Sequence, residues 1–278
     1  MKINIFCATY SDFVKFNKKP NEDFYLVSEK FPIFVLADGV TQSSFLSGEY
    51  SYPEGARTAA KIFCYETLSC MEENFKKRED EILFKESFKK ANKKIKELNE
   101  TEGMAKKLDY LVFDYFDAVG IAGFLKKDIL HYGFVGDCGL IVFDKNNEIK
   151  FQTEDQVEPA MINARDKYKN WKELDKRQRT IIMHKEFRNL KGGSGYGSFS
   201  GEDGIEDYYI TGKTKLSAGD LAVFYSDGFL PYFQFIEFID ILRKQNQNIL
   251  DSFVVKKAEE NPEELGCDRT LISFNFNR

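Results

Sequence analysis

The sequence predicts an α+β fold, with strands and helices in blocks rather than in strict alternation. Three observations carry that expectation. Strand-like runs crowd residues 1–37, and two long amphipathic helical patterns follow between about residues 54 and 99. A series of short strand-turn steps then runs from 117 to 152 and suits antiparallel sheet.

Residues 1–9 are the first expected strand. Over 23–28, Phe24, Leu26 and Ser28 alternate with Tyr25 and Val27, and 31–37 is a near-continuous apolar run, as in a strand buried on both faces. Ser51-Tyr52-Pro53-Glu54 has capping-box spacing. After it, Ala56, Ala59, Ala60, Phe63, Cys70 and Met71 share one helical face to about residue 77. A second helix over 79–99 carries Phe84, Phe88, Ala91, Ile95 and Leu98 at steps of three and four, with its lysines on the solvated face. Strands are expected at 117–124, 129–135, 140–143 and 148–152, with turns at Lys126-Lys127-Asp128 and Asp144-Lys145-Asn146-Asn147.

Residues 159–190 are mainly polar and hold the only tryptophan, Trp171. From 165 to 191 there are ten Lys/Arg against four Asp/Glu, an excess that reads as a solvated helical face or as an attraction for an anionic substrate. Gly192-Gly193-Ser194-Gly195-Tyr196-Gly197 lacks both the third glycine of a dinucleotide fingerprint and the Gly-Lys-Ser/Thr of a P-loop, so it reads as a hinge or turn. Strands at 207–211 and 220–225, helices at 230–243 and 249–260, and a closing strand at 271–276 complete the chain. With neither repeats nor a low-complexity linker, a single domain over 1–278 is expected, built from two sheets' worth of strands and two helix pairs.

Composition narrows the function. A net charge of -5 argues against a general nucleic-acid binder. No apolar run approaches the roughly 20 residues that span a bilayer, and the start has no signal-peptide pattern, so a cytoplasmic protein without membrane contact is expected. Five cysteines without framework spacing read as reduced thiols.

Four aspartates sit at the ends of strand-like runs: Asp38 in Leu36-Ala37-Asp38-Gly39, Asp137 in Val135-Gly136-Asp137, Asp227 in Tyr225-Ser226-Asp227-Gly228, and Asp268 ahead of Leu271-Ile272-Ser273-Phe274. A carboxylate at a strand end is rigidly held yet reaches solvent. Several brought together make an all-oxygen site for a hard cation such as Mg²⁺ or Mn²⁺.

Read in order, Asn21-Glu22-Asp23, Ala37-Asp38-Gly39, Gly136-Asp137-Cys138, Ser226-Asp227-Gly228 and Asp268-Arg269-Thr270 resemble the metal-dependent protein phosphatases of the 2C type, the PPM family. Glu54-Gly55-Ala56-Arg57-Thr58-Ala59-Ala60 and Leu216-Ser217-Ala218-Gly219-Asp220-Leu221 extend the resemblance over nearly the whole chain. It implies a four-layer αββα sandwich of two mainly antiparallel sheets flanked by helix pairs. It also implies two Mg²⁺ or Mn²⁺ ions at one sheet edge, with a weaker third. On that basis Asp38 is the bridging ligand, Gly39 a carbonyl ligand, Asp227 and Asp268 terminal ligands, Glu22 and Asp23 the acidic pair, and Asp137 the aspartate of the third ion. Two cations about 3.5–4 Å apart reverse the repulsion between a phosphate dianion and its nucleophile and acidify a bridging water. The implied activity is hydrolysis of phosphoserine and phosphothreonine in proteins by that hydroxide, with Asp38, Asp227 and Asp268 as the catalytic carboxylates.

The departures are specific. Lys18 stands where the family often has a phosphate-binding arginine, and supplies charge without a bidentate fork. Val40 stands where the family has a histidine general acid, which leaves the leaving group's proton to water. Pro231 replaces the usual companion of Asp137, and Asp117-Ala118-Val119 replaces a Gly-Thr-Thr strand start. Residues 156–204 occupy the place of the family's variable flap, which is expected to shape substrate choice. The alternatives are a catalytically weak PPM-like scaffold that binds a partner, or a phosphatase for small metabolites. A monomer is expected.

Overall fold

Side-chain alternation along the strands decides the layering. The computed structural model describes residues 3–277. Strands β1 (Ile5–Tyr10), β2 (Phe24–Val27) and β3 (Ile33–Gly39) lead into helices α1 (Gly55–Asn74) and α2 (Asp80–Thr101). Strands β4 (Ala118–Lys126), β5 (Ile129–Val135), β6 (Gly139–Phe143) and β7 (Ile149–Gln152) follow. Next come α3 (Val157–Lys167) and α4 (Lys176–Ile182), the latter continued by a π-helical turn over Met183–Phe187. The chain closes with β8 (Ile210–Lys215), β9 (Asp220–Tyr225), α5 (Ile236–Lys244), α6 (Gln247–Glu260), α7 (Pro262–Leu265) and β10 (Arg269–Phe276).

Two five-stranded sheets form, in the orders β1-β10-β9-β6-β7 and β2-β3-β4-β5-β8, and the strand pairs of both are antiparallel. On β3, Phe34 and Leu36 point into the layer between the sheets, where they meet Ala222, Phe224, Ile272 and Phe274. Their neighbours Ile33, Val35 and Ala37 point the other way, onto Phe63 of α1 and Phe84 and Phe88 of α2. The second sheet repeats the scheme, with Val223, Tyr225 and Leu271 facing Phe238 and Leu242 of α5 and Leu250 and Val254 of α6. The near-continuous apolar character of β3, β4 and β9 therefore reflects burial on both faces. The result is the expected αββα sandwich. Phe34 closes its middle layer, its ring stacked on Phe274 at 5.1 Å and tilted against Phe224 at 5.5 Å.

Three local expectations are corrected. The capping box at Ser51 does not form; Glu54 is the N-cap of α1, and the Ser51 hydroxyl donates instead to the Val112 carbonyl at 2.6 Å. Residues 207–211 divide between a 3₁₀ turn, Ile205–Tyr208, and β8. The helix expected over 230–243 begins as a 3₁₀ segment, Asp227–Gln234, and turns α-helical only at Ile236. Pro231 lies inside that segment, where its missing N–H and fixed φ disfavour an α-helical start. The first expected strand begins at Ile5, and residues 1 and 2 lie outside the described residues. Among the described residues no helix is long and apolar enough to cross a membrane.

Candidate active site

The sheets bring their strand ends together at one rim. Asp38 is the penultimate residue of β3, Asp137 follows β5, Asp227 follows β9, Asp268 precedes β10, and Glu22 and Asp23 precede β2. All but Asp23 line a cavity of about 1250 Å³, as does Gly39, and Asp23 is buried at 2 % exposure behind them. Gly136 makes the turn into Asp137 with φ +87, and a Cβ there would sit 2.3 Å from the Val119 side chain, so this position excludes other residues.

The carboxylates crowd one another. Burial, followed by Asp23, Asp227 and Asp137, pushes Asp38 well above the ordinary carboxylate range, and Asp38 and Asp227 lie within hydrogen-bonding reach of each other. Burial, and then chiefly the neighbouring aspartates, pushes Asp23 up to about 7 and Asp137 up to about 8. Asp23 Oδ2 accepts from the Ser226 hydroxyl at 2.7 Å, whereas among the described residues its buried Oδ1 has no hydrogen-bond partner. An orphaned carboxylate oxygen among like charges is what a hard divalent cation satisfies, and the all-oxygen donor set suits Mg²⁺ or Mn²⁺. Asp38, Gly39, Asp137, Asp227 and Asp23 therefore offer the donor chemistry such an ion takes, although among the described residues no three of the carboxylates stand at ligand spacing around one point.

The Glu22–Asp268 edge is arranged differently. Lys19, 6 % exposed, donates from Nζ to Glu22 Oε2 at 2.6 Å and to Asp268 Oδ2. Asp268 Oδ1 accepts from the Asp12 amide at 2.5 Å, so both of its oxygens are engaged by the protein. The Thr41 hydroxyl donates to the same Glu22 oxygen. Among the described residues no three His, Cys, Asp or Glu side chains stand at ligand spacing around one point. A cation using Asp268 and Glu22 has to displace the Lys19 ammonium.

Lys18 is exposed and does not line the cavity, whereas its neighbour Lys19 does. Asp12 was missed, although it follows β1 just as Asp137 and Asp227 follow their strands.

The segment over 156–204 contributes a wall of the same cavity. Arg165, Lys169, Lys172, Lys176 and Arg179 line the same cavity as the aspartates, and Trp171 anchors them in a small core with Ala160, Ala164, Phe187 and Tyr196. The glycine run does not act as one unit. Gly192 and Gly193 form an open turn at positive φ, whereas Gly195 is packed so closely that a Cβ would sit 1.9 Å from the Phe187 carbonyl. Arg188, its side chain fully buried, ties the wall to the sheets. It makes two 2.9 Å bonds to Asp114, a 3.4 Å contact to Asp117 and a 2.7 Å bond to Glu202. His184, remote from every sequence motif, is brought by this wall to the cavity.

No protein-family model matches the chain, and no curated protein matches it. Solved structures do. The serine/threonine phosphatase of S. agalactiae superposes with a TM-score of 0.66 at 16% identity, covering 100% of both chains. The Mycobacterium tuberculosis serine/threonine phosphatase PstP/Ppp superposes at 0.65 with 13% identity, again over 100% of both chains. A PstP catalytic domain in complex with two manganese ions superposes at 0.62 with 13% identity over 99% of each. At these identities the likeness is one of fold.

Proposed function

We propose that this chain, a divergent protein with the fold of the PPM-type serine/threonine phosphatases, is a metal-dependent hydrolase of phosphoserine and phosphothreonine in proteins. The observation that carries the reading is the convergence, from both sheets, of buried carboxylates raised in pKa around the partnerless Asp23 Oδ1.

Asp38, Gly39, Asp227 and Asp268 would hold the two Mg²⁺ or Mn²⁺ ions, assisted by Glu22 and Asp23, with Asp137 toward a weaker third. Bound there, the ions supply the positive charge that offsets a phosphate dianion, and they acidify water. The protein does the rest. Ser226 orients Asp23, Thr41 and Lys19 orient Glu22, and the basic wall attracts the anionic substrate. A cavity of about 1250 Å³, lined by five cationic side chains of the 156–204 segment besides the carboxylates, suits a phosphorylated peptide better than a small metabolite.

The test is hydrolysis of p-nitrophenyl phosphate and of a phosphothreonine peptide with Mn²⁺, with and without chelator. Asp38→Asn and Asp227→Asn are expected to abolish turnover, and metal-independent activity would sink the proposal. A catalytically weak scaffold is favoured by one observation, the Lys19 ammonium on Asp268 and Glu22. Calorimetric titration with Mn²⁺ separates the two readings, since a scaffold has no need to bind it.

A further inference from the structure

The chemistry left open at Val40 is the protonation of the leaving group. The alkoxide of serine or threonine is a poor leaving group, so it departs rapidly only if it takes up a proton as the bond to phosphorus breaks. Val40 brings no proton, but His184 lines the same cavity as Asp38, Gly39, Val40 and Thr41, on the side of the basic wall.

His184 is held as a proton donor would be. Its Nδ1 lies 2.6 Å from Asp114 Oδ2. Asp114 in turn is gripped through both oxygens by Arg188, at 2.9 Å each. Although burial opposes ionisation, Arg188 and His184 hold Asp114 down to about 2, so the carboxylate is an acceptor at any working pH. Nδ1 must therefore carry the hydrogen in that contact, which leaves Nε2 as the nitrogen that gives or takes a proton. Among the described residues Nε2 has no hydrogen-bond partner, and the side chain is 15% exposed, consistent with a ring edge open to the cavity. The backbone adds a further sign. His184 lies in the π-helical turn over Met183–Phe187, a local widening often found at functional sites.

The geometry points to His184 as the proton donor to the leaving oxygen, positioned through Nδ1 by Asp114 and, behind it, by Arg188. The step balances. A water oxygen forms the new bond to phosphorus and gives up one of its protons to solvent, and the bond from phosphorus to the serine or threonine oxygen breaks with its electron pair. The proton on His184 Nε2 moves to that oxygen. The products are the free hydroxyl and phosphate, and the imidazole regains its proton from solvent. Asp114 touches neither substrate nor reacting atoms and is a positioning residue.

This inference rests on the phosphatase reading, and a leaving-group comparison keeps the two apart. p-Nitrophenolate leaves without help, and a threonine alkoxide does not. With Mn²⁺, His184→Gln is expected to lower kcat on a phosphothreonine peptide by about 10²-fold or more, while p-nitrophenyl phosphate is turned over near the wild-type rate. That retained turnover also shows that the variant is folded. Equal loss on both substrates, or none on either, overturns the role of His184. Absence of turnover of both substrates by the wild-type protein overturns the phosphatase reading and this inference with it. A second readout needs no activity. The chain has two histidines, so the ring ¹⁵N resonances of His184 in metal-free protein are separable from those of His131. Neutral His184 is expected to carry its hydrogen on Nδ1, and Asp114→Asn, whose amide can donate in place of accepting, is expected to reverse that tautomer. A wild-type ring protonated on Nε2 overturns the positioning.

Discussion

The hydroxyl of Ser226, at the end of β9 in one sheet, donates a 2.7 Å hydrogen bond to Asp23, at the start of β2 in the other. The same Ser226 Oγ accepts from the Thr270 amide at 2.9 Å. One side chain thus pins three strand ends around the candidate metal centre and fixes Asp23 Oδ2, while among the described residues Oδ1 lacks a hydrogen-bond partner. Ser226→Ala removes that donor and leaves a buried carboxylate and a buried amide unsatisfied. It is expected to cost about 1–3 kcal/mol of stability, read from urea unfolding of the metal-free protein.

The metal-free protein is expected to become more stable as pH falls. Asp23 and Asp137 stand at about 7 and 8 in the fold, against 3.8 ordinarily, with burial as the leading cause. Between those values the folded chain takes up protons that the unfolded chain does not, so stability rises as pH falls from 8 toward 4. Asp114 works in the opposite sense, but its stabilisation is lost only below the ordinary carboxylate range, toward about 2. Urea midpoints at pH 8 and 5.5 measure the trend. Asp137→Asn is expected to flatten it, and an unchanged slope would count against the buried-carboxylate account.

Lys19 holds two buried carboxylates, and removing one partner of such a pair leaves an uncompensated charge. Lys19→Met is expected to destabilise the metal-free protein by about 3–5 kcal/mol. Saturating Mn²⁺ should restore more stability to the variant than it adds to wild type, because the cation no longer has to displace an ammonium. Thermal melts with and without Mn²⁺ check both points.

The basic wall is expected to govern KM for peptides rather than chemistry at phosphorus. Arg165→Glu combined with Lys169→Glu should raise KM for an acidic phosphopeptide several-fold and weaken its salt dependence, with p-nitrophenyl phosphate little changed. Point changes are the right probe. Deleting residues 165–191 would remove Arg188 and strand the buried Asp114 and Asp117.

Much of this was legible along the chain. The boundaries of β5 and β9, and the buried stripe of α1, follow from patterns that local sequence carries directly, apolar runs and the 3.6-residue period. Strand-end aspartates were legible for the same reason, since Asp38, Asp137 and Asp227 adjoin a glycine where a strand stops. The capping box at Ser51 was not, because a hydroxyl bonds whichever acceptor the fold presents, and here Val112 lies 61 residues away. Lys18 and Lys19 are indistinguishable as letters, and only the course of the loop before β2 turns one inward.

The sequence by itself determined the strand and helix blocks and the carboxylate inventory of this protein, because periodic burial and strand ends are properties of neighbouring residues; the four-layer stacking came only as what the resemblance implied. The tertiary structure alone decided that Lys19 spans Glu22 and Asp268, that Ser226 reaches Asp23, and that Asp114 holds His184 at the cavity wall across 70 residues. Apart from Lys19–Glu22, which are three residues apart, those contacts join residues far apart in the chain, and no local pattern records them. They exist because two sheets stack and Arg188, buried between three carboxylates, locks the basic wall against their rim.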